Sequence, residues 1–272
     1  MIPAAFDYAC ARSVDEAISL LGSNEDAKLL AGGHSLLPAM RLRVARPAML
    51  VDIGRLSDLS YVREDGDHVA IGALTRHHDV ANSEALEQLC PIVAYTAGQI
   101  GDPQVRHMGT IGGSVAHGDP AGDLPSVLVA LDAVFTAQGP NGTRTIAATE
   151  FFSSLFETAL APDEVLTEIR VPKSVAGWSY LKFQRRAQDW AVVGVAAVRS
   201  NGGVHVGLTN MGLTPLRASG VEDAIASGSD PAAAAARADE GTAPPSDSFG
   251  SAEYRRELVK VLVRRALQEA MG

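Results

Sequence analysis

Cysteine is nearly missing: the 272 residues hold Cys10, Cys90 and no other. That excludes a disulfide scaffold, and an iron–sulfur cluster, which takes about four thiolates, has no ligand set here. Aromatics are sparse at 5%. No run approaches the ~18 apolar residues of a membrane span, and the start MIPAAFDYACARSVDEA lacks the basic segment and apolar core of a secretory leader. A soluble cytoplasmic chain is the expectation. Positive charge is also short. Lys and Arg number 23 against 32 acidic residues, giving a net charge of -9. No cluster of basic residues covers one broad face, so binding to nucleic acid or an anionic membrane would work against the field. Also absent are an acid–base pair or a nucleophile with its base, and any repeat of fixed period.

What is present is a globular composition, 46% hydrophobic and 20% charged with 26 Gly, in a chain longer than one typical domain. Ser13 followed by Glu16 predicts a helix N-terminus. AKLLAGG, SLLPAMRLR and AMLVDIG then read as strand, short helix and strand, a small parallel βαβ unit. From Tyr61 the pattern turns antiparallel, with Asp65–Gly66 as a hairpin turn. Thr75 and Ser83 are expected helix caps, Pro91 suits a first helical turn, and Gly101 is expected to end that helix. A helix is expected from near Asp123. Strands follow in AVFTAQ and TRTIAA, APDEVLTEIRVPK reads as a turn entering a strand that Pro172 closes, and a strand-rich third lobe has Asn201–Gly202–Gly203 as its turn. The chain ends in an amphipathic helix with Leu258, Val261, Leu262 and Leu267 along one stripe.

Two glycine-rich stretches stand out, LLAGGHSLLPAMRLR from Leu29 and HMGTIGGSVAHGDPAGDLP from His107. Glycines after a strand let backbone N–H groups approach an anion without a Cβ in the way. The plain alternative is a pair of tight turns needing positive φ. Neither stretch has a Walker Lys or the Rossmann glycine spacing. Amide hydrogens and hydroxyls, rather than a cationic side chain, are therefore expected to hold any phosphate, which suits a diphosphate held permanently. A valine at Gly33 is expected to fill the place of a phosphate oxygen. His77, His78, His107 and His117 have no carboxylate or cysteine at metal-ligand spacing, so no metal is expected.

AGGHSLLPAMRLR, RHMGTIGGSVAHGDPAGDLP and YLKFQRRAQDWAVVGVAA, in this order, resemble the FAD-binding medium subunits of molybdenum hydroxylases, the group of aerobic carbon monoxide dehydrogenase and xanthine dehydrogenase. The ending EYRRELVKVLVRRALQEA is similar too. The resemblance implies an α+β fold: a two-lobed FAD-binding domain of vanillyl-alcohol-oxidase (PCMH) type over 1–175, with lobes of about 1–56 and 57–175. A C-terminal domain of antiparallel sheet plus helices would follow over 176–272. It implies FAD held noncovalently, with Leu29, Leu30, Ala31, Gly32, Gly33, His34, Ser35 and Leu36 wrapping the diphosphate. Thr110, Ile111, Gly112, Gly113 and Ser114 would cover the other side, Ser114 standing where asparagine is common. Asp123 would accept hydrogen bonds from sugar hydroxyls, and Ile100, Leu166 and Lys182 would lie near the ring. Taken alone, Asp123 reads as a helix cap, Leu166 as core and Lys182 as a solvated strand residue.

The resemblance further implies an electron-transfer subunit. Molybdopterin would reside on a large partner and [2Fe-2S] clusters on a small one, in a dimer of heterotrimers, and this flavin would pass electrons to an external acceptor. GGHS also resembles oxidases whose histidine is bonded to the flavin, which leaves a self-contained oxidase as the alternative. A flavin-free scaffold is the third reading.

Overall fold

The computed structural model describes residues 1–173, 176–200 and 202–272. The expected domain boundary at residue 175 and the turn residue Asn201 lie outside them. The first lobe comprises β1 (Asp7–Cys10), α1 (Val14–Gly22), β2 (Ala27–Leu30), α2 (Leu36–Arg41) and β3 (Met49–Asp52). Ser13 Oγ accepts the Glu16 N–H at 3.1 Å. The Glu16 carboxylate turns back to the N–H of Arg12, one residue earlier than a capping box specifies. The expected βαβ unit is present as β2, α2 and β3, but the parallel sheet has a third strand in the order β1-β3-β2. DYAC gave no strand signal because its first two residues are exposed and nothing alternates.

The second lobe opens with β4 (Val62–Asp65) and β5 (His68–Gly72). Six helices follow: α3 (His77–Ala81), α4 (Glu84–Leu89), α5 (Pro91–Gly98), α6 (Pro103–Met108), α7 (Ile111–His117) and α8 (Asp123–Ala130). The chain then forms β6 (Val134–Gly139), β7 (Gly142–Ala147), α9 (Ala148–Phe151), β8 (Phe152–Ser154), β9 (Glu157–Thr158) and β10 (Val165–Pro172). Its main sheet is antiparallel, in the order β4-β5-β10-β6-β7. Ser83 caps α4 as expected. Thr75 does not cap α3: its hydroxyl donates to the Gly72 carbonyl at 2.7 Å, and Arg76 holds the cap position. The helix from Pro91 ends at Gly98, before Gly101. The second glycine stretch is itself helical, as α7. Glycine propensity argues against a helix there, and close packing described below overrides it.

The C-terminal part is a four-stranded antiparallel sheet of β11 (Gly177–Phe183), β12 (Val193–Ser200), β13 (Gly203–Thr209) and β14 (Leu216–Arg217). Helices α10 (Ser219–Ala226), α11 (Pro231–Ala235) and α12 (Ala252–Met271) complete it. The run VGVAAV of β12 is apolar on both faces because both are covered. Val193, Val195 and Ala197 pack with Val259, Val263 and Ala266 of α12, whereas Ala196 and Val198 join the core of the second lobe. On the latter face α8 lies across β13. A Cβ on Gly207 would stand 2.9 Å from the Ser126 carbonyl carbon, so only glycine allows the approach. Asp123, at the start of α8, is thereby held over β11.

Candidate functional site

The half-buried Leu29 and Leu30 end β2 and deliver the chain into Ala31–Ser35. Among the described residues, the backbone N–H groups of Gly32, Gly33, His34 and Ser35 donate to no protein acceptor. Gly33 has φ +73°. A Cβ there would meet Leu37 Cδ1 at 2.8 Å and Leu30 Cδ1 at 3.2 Å, so a valine is opposed by backbone strain and by side chains of this loop. His34 is exposed and its Nδ1 lies 3.0 Å from the Gly32 carbonyl. A carbonyl only accepts, so Nδ1 carries the hydrogen.

The two glycine stretches meet. A Cβ on Gly32 would collide with the Met108 carbonyl and stand 2.8 Å from Gly109 Cα; one on Gly113 would come within 4.0 Å of Ala31 Cβ. Bare amides on both sides were the expectation, and the second side differs. Ile111 N–H donates to Thr75 O at 3.0 Å, Gly112 to Ala73 O at 2.9 Å, and Ser114 to Thr110 O at 3.0 Å. The Gly113 N–H goes to Thr110 Oγ1 at 3.1 Å. Gly112 serves packing, since its missing Cβ would lie 2.5 Å from Ala73 Cβ. The second stretch therefore forms a fixed wall, and the first supplies the free donors.

Cationic side chains also gather at this junction. Residues 75–77 run antiparallel to 109–111, through His77 N–H to Gly109 O at 3.0 Å and the Arg76–Thr110 bridge. The Arg76 guanidinium donates to the Met108 carbonyl, the atom on which Gly32 leans. His77 is 4% exposed, its Nδ1 has no partner, and its ring edge faces Gly109. Burial, with Arg106, Arg76 and His34 nearby, pushes its imidazole down to about 4. Sequence reasoning weighed this histidine only as a metal ligand. His78 instead stacks on His107 at 4.0 Å and His117 on Phe156 at 5.0 Å.

A second cluster joins α8 to β11. Asp123 accepts from Tyr180 Oη at 2.6 Å and from Lys182 Nζ at 2.8 Å, and Lys182 also donates to the Gln99 carbonyl at 3.1 Å. Both charged side chains are over nine-tenths buried, so Lys182 is no solvated residue. Burial raises the Asp123 carboxyl, while Lys182 and Tyr180 pull it back; burial beside Asp123 lifts the Tyr180 hydroxyl well above its ordinary value. Tyr180 was missed, although the two-residue period of a strand sets it on the face of Lys182. Ile100 adjoins the cluster, its carbonyl accepting from Arg106 at 2.9 Å. Leu166, 5% exposed on β10 opposite Ala137, packs in the core of the second lobe.

The free amides, the cradle that a Cβ on Gly32 would close, and the cationic surround fit the diphosphate of a dinucleotide. Comparison with known proteins agrees. Residues 4–174 match the model of the FAD binding domain in molybdopterin dehydrogenase, and residues 178–270 match the CO dehydrogenase flavoprotein C-terminal domain. The chain is 43% identical to the carbon monoxide dehydrogenase medium chain of Hydrogenophaga pseudoflava, across 99% of this chain and 98% of that one. It is 38% identical to the nicotine 6-hydroxylase medium subunit of Paenarthrobacter nicotinovorans, across 98% and 97%. The solved carbon monoxide dehydrogenase from Hydrogenophaga pseudoflava which lacks the Mo-pyranopterin moiety superposes with a TM-score of 0.94 at 44% identity, covering 100% of this chain and 99% of that one.

Two outcomes are expected. His77 has a folded value of about 4 against 6.5 unfolded, so its contribution is complete above pH 6.5 and is lost as pH falls toward 4. Urea titrations at pH 7 and pH 4.5 should show wild type losing about 2 kcal/mol more than His77→Gln between the two, and equal losses would refute it. Lys182→Met should destabilise flavin-free protein by about 3–5 kcal/mol by leaving Asp123 buried and alone. Adding Asp123→Asn should restore most of that; no restoration in the double variant means that the pair is not coupled.

Proposed function

From the premise that the chain belongs to the family of FAD-binding medium subunits of molybdopterin dehydrogenases, we propose that it takes electrons from iron–sulfur clusters of a partner subunit and passes them to an external acceptor. It is an oxidoreductase subunit, and the molybdenum chemistry belongs to a separate chain. The observation that carries the reading is the row of free N–H groups from Gly32 to Ser35 facing a wall fixed by Thr110–Ser114. When bound, the flavin accepts and releases electrons and so couples two-electron to one-electron chemistry.

This chain's residues hold and orient it. Gly32 to Ser35 donate to the diphosphate, with Leu29, Leu30, Ala31 and Leu36 shaping the approach. Thr110, whose hydroxyl hydrogen is not needed by Gly113, and Ser114 face it from the wall. Arg76 and Arg106 add positive potential behind, and no carboxylate figures among the charges acting on His77. Asp123, through lone pairs left by Tyr180 and Lys182, accepts from sugar hydroxyls. Ile100, Leu166 and Lys182 belong to the ring end. The His34 bond to the Gly32 carbonyl supports noncovalent attachment, because it turns the ring back onto its own loop.

The division at about residue 175 is supported by the limits of the two family models. A small iron–sulfur subunit and a large molybdenum subunit, in a dimer of heterotrimers in the cytoplasm, complete the proposal. Among the described residues no helix is long and apolar enough to cross a membrane. The named relatives act on carbon monoxide and on nicotine, so substrate choice is assigned to the molybdenum chain.

Acid precipitation of the purified yellow protein should release all FAD to the supernatant; colour left on the pellet would instead support the covalent oxidase. Gly32→Ala, whose new methyl displaces the Met108 carbonyl, should lower FAD affinity at least tenfold with circular dichroism unchanged. Full FAD content in that variant overturns the cradle.

A further inference from the structure

His77 sits beside the cradle with no bond that explains its burial. Its imidazole is 4% exposed, and Nδ1 has no hydrogen-bond partner among the described residues. The cations next to it are committed to the backbone: Arg76 donates to the Met108 carbonyl, and Arg106 to the carbonyls of Ile100 and Gly101 at 2.9 and 3.1 Å. The imidazole lies against Gly109, where a Cβ would stand 2.8 Å from His77 Cδ2 and 3.2 Å from Nε2. The Cα of the same glycine lies 2.8 Å from the place of a Cβ on Gly32. One residue of bare backbone therefore touches both the imidazole and the loop that carries the free amides.

The charges acting on the ring are of one sign. They are Arg106 of α6, Arg76 just before α3, and His34 of the glycine loop, with no carboxylate among them. Helix α5 packs on α3, and its buried residues Ile92, Val93, Ala94, Thr96 and Ala97 do not titrate. Its Tyr95 stacks on Trp178. His78 and His107 stack on each other, Asp79 is exposed, and the Asp102 carboxylate caps α6 at the Val105 N–H. Burial and the three cations hold the imidazole down at about 4 in flavin-free protein. A third guanidinium at this place would repel its neighbours at all times. An imidazole is neutral among cations and becomes charged beside an anion. The diphosphate of a dinucleotide supplies that anion, and an opposite charge close by moves such a group by about 1–3 pH units.

Resting on the cofactor site proposed above, we propose that His77 is its charge-compensating residue: neutral in the flavin-free chain, it takes up a proton when the diphosphate binds, so that FAD is held more tightly as pH falls. The sign follows from linkage, since the bound form carries more protons than the free form.

The test uses the full chain freed of FAD, with binding followed by calorimetry at pH 5 in two buffers of different ionisation enthalpy. A rise of the imidazole from about 4 to about 6 means about 0.8 proton taken up per FAD at pH 5, and binding about tenfold tighter there than at pH 8. His77→Gln should lose both that uptake and the tenfold gain, whereas His34→Gln should keep the uptake. Wild-type uptake in His77→Gln, or uptake lost only in His34→Gln, overturns the inference while the cofactor site stands. An equal loss of affinity at both pH values, with uptake unchanged, makes His77 structural and overturns it as well. A wild-type chain that binds no FAD at either pH overturns the site itself. Should His77→Gln bind no FAD, the Cε1 resonance of this histidine in wild-type protein decides, by whether its midpoint rises from about 4 when FAD is added.

Discussion

The backbone approach of Gly32 to the Met108 carbonyl is the constraint on which the site depends. Two segments far apart in sequence touch there with no side chain between them, and a single Cβ would part them. Their roles differ. The first leaves its amides free because the loop turns through Gly33 before α2 begins, whereas the second has its amides fixed by Ala73, Thr75 and Thr110. One side is therefore reactive toward an anion and the other is rigid. Arg76 joins them by bonding the very carbonyl on which Gly32 rests.

A second constraint ties the cofactor domain to the C-terminal sheet. Asp123, Tyr180 and Lys182 form a buried group that neither part could satisfy alone, and Gly207 lets α8 lie directly on β13. Breaking such a pair leaves an uncompensated charge in a low dielectric, so the interface tolerates little sliding. The gain is geometric: the strand that carries Lys182 is fixed relative to α8 and to the Gln99 carbonyl. Both faces of β12 being apolar is the same fact seen from the core.

Much of this was legible in the residues. The parallel unit around β2 and β3, the antiparallel second lobe, the strand-rich third part and the terminal helix follow from periodicity and turn chemistry, which are local. The glycine stretches were legible as sites of close approach. Less legible were β1, whose exposed residues do not alternate, α6, and α7, where Gly112 sits in a helix against Ala73 and Gly113 against Thr110. The failures share a cause: each depends on a neighbour distant in the chain.

The sequence by itself determined which backbone could come close to a ligand, since glycine, cap and alternation signals act within a few residues, and its motifs placed the chain in a family. Only the tertiary structure decided which of the two glycine stretches keeps its donors free, because hydrogen-bond partners such as Thr75 and Ala73 are chosen by packing. The same holds for His77 and Lys182. The charge state of the first and the ion pair of the second are set by burial among groups that no spacing along the chain announces.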